Sequence, residues 1–176
     1  NAIPIHIRAA ALSAAGNLAR SSGEFVRASE LLERGYTARL QAGDESGSAK
    51  ALLELSAVAR DMGDYDRMKL LAYRAQTAFE STGDVRGIAR SYLEIATAMF
   101  QRRQIERGEE QYWKAFKLFH TLGDDAACAL ILRRLGEMHV ASGNQARGLE
   151  LNHASLRFAR RSIRALPQGP ETCLLY

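Results

Sequence analysis

Proline, cysteine and long apolar runs are all scarce in this chain, and each scarcity narrows the choice of fold. The only prolines are Pro4, Pro167 and Pro170, so proline bars no part of the long stretch between the first two from forming helix. Cys128 and Cys173 are too few for a disulfide framework or a zinc site, which fits a reducing, cytoplasmic compartment. No run is apolar enough to span a membrane, and we expect no signal peptide. We expect a helical protein that does not enter the membrane.

The usual sequence signatures of enzymes are also missing. The histidines, His6, His120, His139 and His153, fall on separate predicted helices without the spacing of a metal-binding motif. There is no glycine-rich phosphate loop followed by lysine and serine or threonine, and no nucleophile elbow. We therefore expect no catalysis, no cofactor and no metal ion.

Charge and composition describe a folded chain with a mild excess of positive charge. The residues are 47% apolar and 25% charged, and 24 Lys and Arg against 20 Asp and Glu give a net charge of +4. An excess of this size favours acidic partners more than it favours nucleic acid. The chain begins Asn1-Ala2 without an initiating methionine, and we expect it to be a segment of a larger protein.

A repeat of forty residues organises the sequence. Gly-Asp pairs stand at 43–44, 83–84 and 123–124, and a second set of turns falls between them at Gly23, Gly63 and Gly143, with Arg103 in place of the remaining glycine. Segments between these turns carry apolar residues at helical spacing. A period between 20 and 50 residues is typical of a solenoid built from stacked supersecondary units.

These patterns predict an all-α fold, a solenoid of four helical hairpins. The hairpins are expected at about 5–42, 46–82, 85–122 and 125–166, within one repeat domain at 3–166. Residues 167–176 lose helical periodicity and are expected to form a tail or linker.

Small residues recur where paired helices must approach closely, for example at Gly16, Ser56, Ala96 and Gly136. The sequence resembles the tetratricopeptide repeat (TPR) family in this pattern of large apolar, leucine and small residues. The last hairpin matches with Leu132, Leu135, Gly136 and Ser155, and the second with Leu52, Leu55, Ser56 and Ala75. Two departures are the forty-residue period, longer than the usual repeat, and Gly-Asp in place of the closing proline.

The long repeats of this chain, with their Gly-Asp turns, are similar to a subgroup of the family that has longer helices. That subgroup occurs in spindle-orientation scaffolds with Leu-Gly-Asn motifs and in sensor regions of bacterial regulators. Gly16-Asn17 echoes the scaffold motif, but Ser56-Ala57, Ala96-Thr97 and Gly136-Glu137 do not. The asparagine ladder of those scaffolds is therefore missing. The resemblance implies that the four hairpins form a right-handed α–α superhelix. It also implies a non-catalytic protein- or peptide-binding module, a scaffold or sensor segment of a signalling or transcription-regulatory protein.

In the family, the first helices of the hairpins line the binding groove. Transferring the groove positions by register gives a basic surface with apolar residues between the charges, which would suit an acidic, partly apolar peptide. The expected groove residues are Asn17, Arg20, Lys50, Leu53, Arg60, Arg90, Leu93, Thr97, Phe100, Arg133 and Glu137.

The C-terminal region supports two further hypotheses. The apolar end Leu174-Leu175-Tyr176 and the uncovered last helix favour one of two arrangements: the tail folds back on its own chain, or two copies pair end to end as a homodimer. The last helix also carries five arginines that suit phosphate or nucleic acid, although Phe158 is its only aromatic residue and nucleic acid is the weaker hypothesis. The arginines are Arg147, Arg157, Arg160, Arg161 and Arg164.

Overall fold

A computed structural model describes residues 4–165, and this part of the chain consists of eight α-helices without a strand. Corresponding helices begin forty residues apart, as the repeat predicts: the first helices at Ile5, Glu45, Val85 and Asp125. The all-α fold of four helical hairpins is confirmed. The helices are α1 (Ile5–Ser21), α2 (Phe25–Gln41), α3 (Glu45–Asp61), α4 (Tyr65–Thr82), α5 (Val85–Gln101), α6 (Ile105–Thr121), α7 (Asp125–Ala141) and α8 (Gln145–Arg164).

The glycines predicted at the turns are the residues that reverse the chain. Six of them have positive φ, between 67° and 86°, which is the left-handed conformation that glycine adopts without strain. The residue after several of these glycines caps the next helix. The Asp84 side chain, for example, accepts a hydrogen bond of 2.8 Å from the Gly87 backbone N–H. Each Gly-Asp pair therefore ends one helix and starts the next.

Arg103 occupies the one turn where the repeat lacks glycine. Its φ is 60°, so a residue with a Cβ adopts the same left-handed conformation as the glycines at the other turns. The backbone N–H of Arg103 still donates to the Phe100 carbonyl at 2.9 Å. The left-handed conformation costs a residue with a Cβ about 1–2 kcal/mol. The geometry of the repeat therefore imposes a backbone conformation that arginine alone would not favour.

The chain divides into two compact units, with the boundary after Leu118 and therefore inside α6. The first unit has a core to which the successive helices α1 to α5 all contribute. Leu32, Leu52, Met68 and Phe79 are at most 4% exposed there. The Ser56 hydroxyl donates to the Met68 carbonyl at 3.1 Å and ties α3 to α4 where a small residue was predicted.

In the second unit α7 and α8 cross at two glycines. A Cβ placed on Gly148 would lie 2.9 Å from the Gly136 carbonyl oxygen, so neither backbone leaves room for a side chain. Beside this crossing, the Ser155 hydroxyl donates to the Ala129 carbonyl at 2.7 Å. Ile131, Leu135 and Met138 fill the adjacent core and are 0% exposed.

Two further predictions concern membrane-spanning segments and the C-terminal tail. Within residues 4–165, no helix is both long and apolar enough to cross a membrane. The predicted tail at 167–176, with its apolar end Leu174-Leu175-Tyr176, lies outside the described residues.

Candidate functional site

The candidate site is the surface of the first unit formed by α1, α3 and α5, where most of the predicted groove residues lie. We call it the ladder face and define it by Asn17, Arg20, Lys50, Glu54, Arg60, Asp61, Arg90, Leu93, Glu94, Thr97 and Phe100. In this unit α1 contacts α3 and α3 contacts α5, so the three helices lie side by side. The ladder face is therefore one continuous surface.

Ion pairs join the three helices across this face. The Arg20 guanidinium on α1 lies 2.8 Å from the Asp61 carboxylate on α3. Arg60, next to Asp61, lies 3.4 Å from that same carboxylate and 3.1 Å from the Glu94 carboxylate on α5. Both Arg60 contacts to Glu94 are hydrogen bonds from the same nitrogen, Nη1, at 3.1 Å. Two arginines predicted as groove residues, Arg20 and Arg60, thus hold neighbouring helices together.

A second polar cluster lies beside these pairs, between α1, α2 and α3. The Asn17 amide donates to Glu54 Oε1 at 3.1 Å, and the Arg39 guanidinium donates to the Ser13 hydroxyl at 2.7 Å. Arg39 also lies 3.9 Å from Glu54 Oε2, which is buried and accepts no hydrogen bond. The Arg39 side chain is only 15% exposed, so its charge compensates Glu54 from beneath the surface.

Glu94 is a carboxylate of the ladder face whose pKa is raised. Burial raises its pKa above the ordinary 4.5, while the nearby charges of Arg60 and Arg90 act in the opposite direction and lower it. The direction of the net shift means that desolvation outweighs the two arginines. Arg60 is therefore the counterion that allows Glu94 to carry a charge in this position.

The remaining predicted residues of the ladder face differ in accessibility. Lys50 and Arg90, at equivalent positions of α3 and α5, are exposed, and neither forms a salt bridge to any residue between 4 and 165. Leu93, Thr97 and Phe100 are half-buried. The Thr97 hydroxyl is already engaged, since it donates to the Leu93 carbonyl at 2.8 Å and lies 3.1 Å from the Tyr112 hydroxyl.

The side chain of Leu53 is buried in the core and is not accessible to a ligand. It is 5% exposed and belongs to the core of the first unit, so its side chain presents almost no surface to a ligand. For this reason it is not part of the ladder face. Its register equivalent Leu93 remains half-buried, which shows that the same position of the repeat differs in burial between hairpins.

Arg133 and Glu137, the last two predicted groove residues, lie on α7 in the second unit. The Arg133 guanidinium is paired with the Glu137 carboxylate, and Arg134 reaches the other oxygen of that carboxylate at 3.1 Å. Spacings of three and four residues along one helix bring these side chains together. Their charges are satisfied within α7.

Two carboxylates of the ladder face, Glu54 and Glu94, were not predicted from the sequence, whereas Asp61 was expected on the same surface. Glu54 and Glu94 stand forty residues apart, each one position after a predicted groove leucine. Their recurrence at the repeat period was the available signal. With them counted, Arg20, Lys50, Arg60 and Arg90 face Glu54, Asp61 and Glu94, so the surface is only slightly basic.

Two observations concern the nucleophilic and metal-binding side chains that the structure describes. Burial raises the pKa of the Cys128 thiol to about 11, which keeps it protonated and a poor nucleophile near neutral pH. Among residues 4–165, no group of three or more His, Cys, Asp and Glu side chains has the geometry to hold a metal ion.

Comparison by sequence finds no match, whereas comparison by structure finds helical-repeat proteins. No protein-family model and no curated protein sequence matches the chain. BtubC (BKLC) from P. vanneervenii is similar with a TM-score of 0.79 and 15% identity, over 100% of this chain and 72% of that one. The TPR-like repeats of a Podosopora anserina kinesin light chain give a TM-score of 0.70 and 15% identity, over 90% and 77%.

A third similar structure is much longer than this chain. Aspartyl phosphate phosphatase F from Bacillus subtilis gives a TM-score of 0.85 at 9% identity, over 93% of this chain but 43% of the phosphatase. The chain thus spans less than half of that protein. At these identities the likeness shows the fold alone, and the fold is a TPR-like helical-repeat solenoid.

Proposed function

We propose that this chain is a non-catalytic protein- or peptide-binding module whose ladder face receives an acidic, partly apolar segment of a partner. Like the TPR-resembling sequence pattern, the fold favours a scaffold or sensor segment of a larger signalling or regulatory protein. The long forty-residue period with Gly-Asp turns supports placing the chain beside the long-repeat scaffolds and bacterial sensor regions.

The observation that carries the proposal is a pair of exposed cations that form no salt bridge to the described residues, on a surface whose two other cations are paired. Arg20 and Arg60 have carboxylate partners, whereas Lys50 and Arg90 are exposed without salt bridges to the described residues. They occupy equivalent positions on adjacent helices, so an extended acidic segment crossing α3 and α5 would meet both. Half-buried Leu93 and Phe100 offer apolar contact beside them.

Reversing the charge of both exposed cations, Lys50 and Arg90, is the direct test of this proposal. We expect Lys50→Glu/Arg90→Glu to bind a fluorescent pool of degenerate Asp/Glu-rich peptides with Leu or Phe positions about tenfold more weakly than the wild type. Fluorescence anisotropy measures the affinity, and circular dichroism checks that the helices are retained.

The matched control is Arg34→Glu/Arg107→Glu, which makes the same change in net charge on α2 and α6. Both control residues are exposed. An equal loss in the control would mean that only net charge matters. Unchanged affinity in a folded Lys50→Glu/Arg90→Glu variant would place binding on another surface.

Self-association is the second candidate function, and the exposed apolar stripe of α8 favours it. Leu149, Leu156 and Ile163 recur every seven residues and are 59%, 56% and 68% exposed. The residues of α2 at the same register as the first two, Ser29 and Tyr36, are covered by the following hairpin. The stripe therefore occupies the position that a following hairpin contacts in the first repeat.

A second copy of this chain offers the matching surface on α1. Ile7 and Leu18 are 51% and 70% exposed there. Their register equivalents on α3 are Gly47, which is buried, and Val58, which is 1% exposed. We propose that α8 of one copy packs on α1 of the next, as consecutive hairpins do within the chain.

This packing predicts a mass that increases with concentration. Light scattering of the wild type is expected to show dimers or longer head-to-tail assemblies, and Leu149→Glu/Leu156→Glu is expected to remain monomeric. Both substitutions are on exposed positions, so the fold should tolerate them. A wild type that stays monomeric up to high concentration would exclude this candidate.

A further inference from the structure

A basic pocket in the second unit has no part in the proposals above. It lies between the end of α6 and the last turns of α8 and has a volume of about 440 Å³. Its described lining consists of cationic side chains, a histidine and one aromatic ring: His120, Arg157, Phe158, Arg160, Arg161 and Arg164. All of these residues lie on the same side of the unit boundary.

Phe158 organises the floor of this pocket. The His120 ring packs edge-on against it with centroids 6.0 Å apart, and the Arg161 guanidinium lies 4.1 Å from the Phe158 ring centroid. Arg161 is also oriented by Asp125, whose carboxylate lies 3.3 Å from the guanidinium. Stacking and pairing together hold one arginine in a defined direction.

The other three arginines leave the pocket with excess positive charge. Arg157, Arg160 and Arg164 are exposed, and none of them forms a salt bridge within residues 4–165. The described lining contains no carboxylate. Three guanidinium groups around one cavity repel each other unless an anion lies among them, and a single carboxylate would compensate only one of the three charges.

We infer that this pocket binds a phosphoryl group carried on a peptide. A phosphate monoester has a charge of about −1.5 to −2 at neutral pH and three acceptor oxygens in one compact group, which suits several converging guanidinium forks. The pocket is local rather than a long basic track, and its two described rings, Phe158 and His120, pack against each other. These features favour a phosphopeptide over a nucleic-acid strand.

The inference does not rest on the ladder face, because the pocket lies on different helices in the other unit. The probes are a degenerate peptide pool with a central phosphoserine, the same pool with serine, and a single-stranded DNA oligonucleotide, all measured with the full chain. We expect the phosphoserine pool to bind at least tenfold more tightly than the serine pool. Arg157→Gln/Arg164→Gln should abolish that preference.

The matched control for this experiment is Arg134→Gln/Arg147→Gln, which removes the same charge from arginines outside the pocket and should keep the preference. Equal affinity for the phosphoserine and serine pools would overturn the inference. So would a preference that survives in Arg157→Gln/Arg164→Gln. Tighter binding of the oligonucleotide, lost in the same variant, would assign the pocket to nucleic acid instead of a phosphopeptide.

Discussion

Arg60→Met is expected to lower the free energy of unfolding by about 2 kcal/mol, because it leaves the Glu94 carboxylate without its counterion. Removing one partner of a fully buried ion pair costs about 3–5 kcal/mol. The Arg60 side chain is 36% exposed and Glu94 19% exposed, so solvent screening reduces the expected cost. Urea denaturation followed by circular dichroism measures the difference.

The loss of unfolding free energy in Arg60→Met should also depend on pH, and the protonation of Glu94 determines the direction of this dependence. Its folded-state pKa is raised, so the folded protein binds a proton more readily than the unfolded chain, and acidification relieves the burial penalty. The charge of Arg60 lowers the pKa of Glu94, so removing Arg60 raises that pKa further. The difference in unfolding free energy between variant and wild type should therefore narrow as the pH falls through the raised pKa of Glu94.

Glu94→Gln provides the control for this prediction. In that background Arg60→Met should cost much less, because no buried carboxylate remains to be compensated. A destabilisation by Arg60→Met that is equally large with Gln at 94, or that does not change with pH, would mean that Arg60 acts through packing of its aliphatic stem.

Gly148→Val is expected to destabilise the second unit by about 2–3 kcal/mol, because the crossing of α7 and α8 leaves no room for a Cβ. Such an atom would lie 2.5 Å from Val140 Cγ2 and 2.9 Å from the Gly136 carbonyl oxygen. The side chain could rotate away, but the backbone oxygen could not, so the helices would have to separate. Thermal or urea unfolding of the variant measures this cost.

Gly108→Ala is the matched comparison, at the equivalent position one repeat earlier. Its Cβ would lie 3.3 Å from the Ala96 carbonyl oxygen, a contact that a small shift relieves. Alanine also favours helix over glycine by about 1 kcal/mol, so we expect little net change there. If both variants unfold at the same urea concentration as the wild type, close helix crossing does not determine the stability of these hairpins.

The fold could be predicted from the sequence because each local signal repeats at the same period. Glycine at the turns, an aspartate after it and small residues at the crossings point to the same helical hairpins in successive copies. The buried Ser56 and Ala96, both 0% exposed, occupy the predicted small-residue positions. Arg103 shows that the repeat geometry persists even where one local signal is missing.

The candidate site was less predictable because its chemistry depends on contacts between helices. Register places Arg60 on the first-helix surface, but its pairing with Glu94 depends on side-chain directions across two helices. Leu53 and Leu93 share a register position, yet only Leu93 remains partly accessible. The pocket around Phe158 required His120 and α8 to meet in space, which residue spacing does not reveal.

The measurement that tests the central proposal most directly is an NMR titration of the chain with the acidic peptide pool. If the ladder face binds the pool, amide shifts should concentrate on α3 and α5 around Lys50, Arg90 and Leu93 and extend to α1. Helices α2 and α4 should change little. Shifts confined to α8, or to α2 and α4, would contradict the assignment of the ladder face as the binding surface.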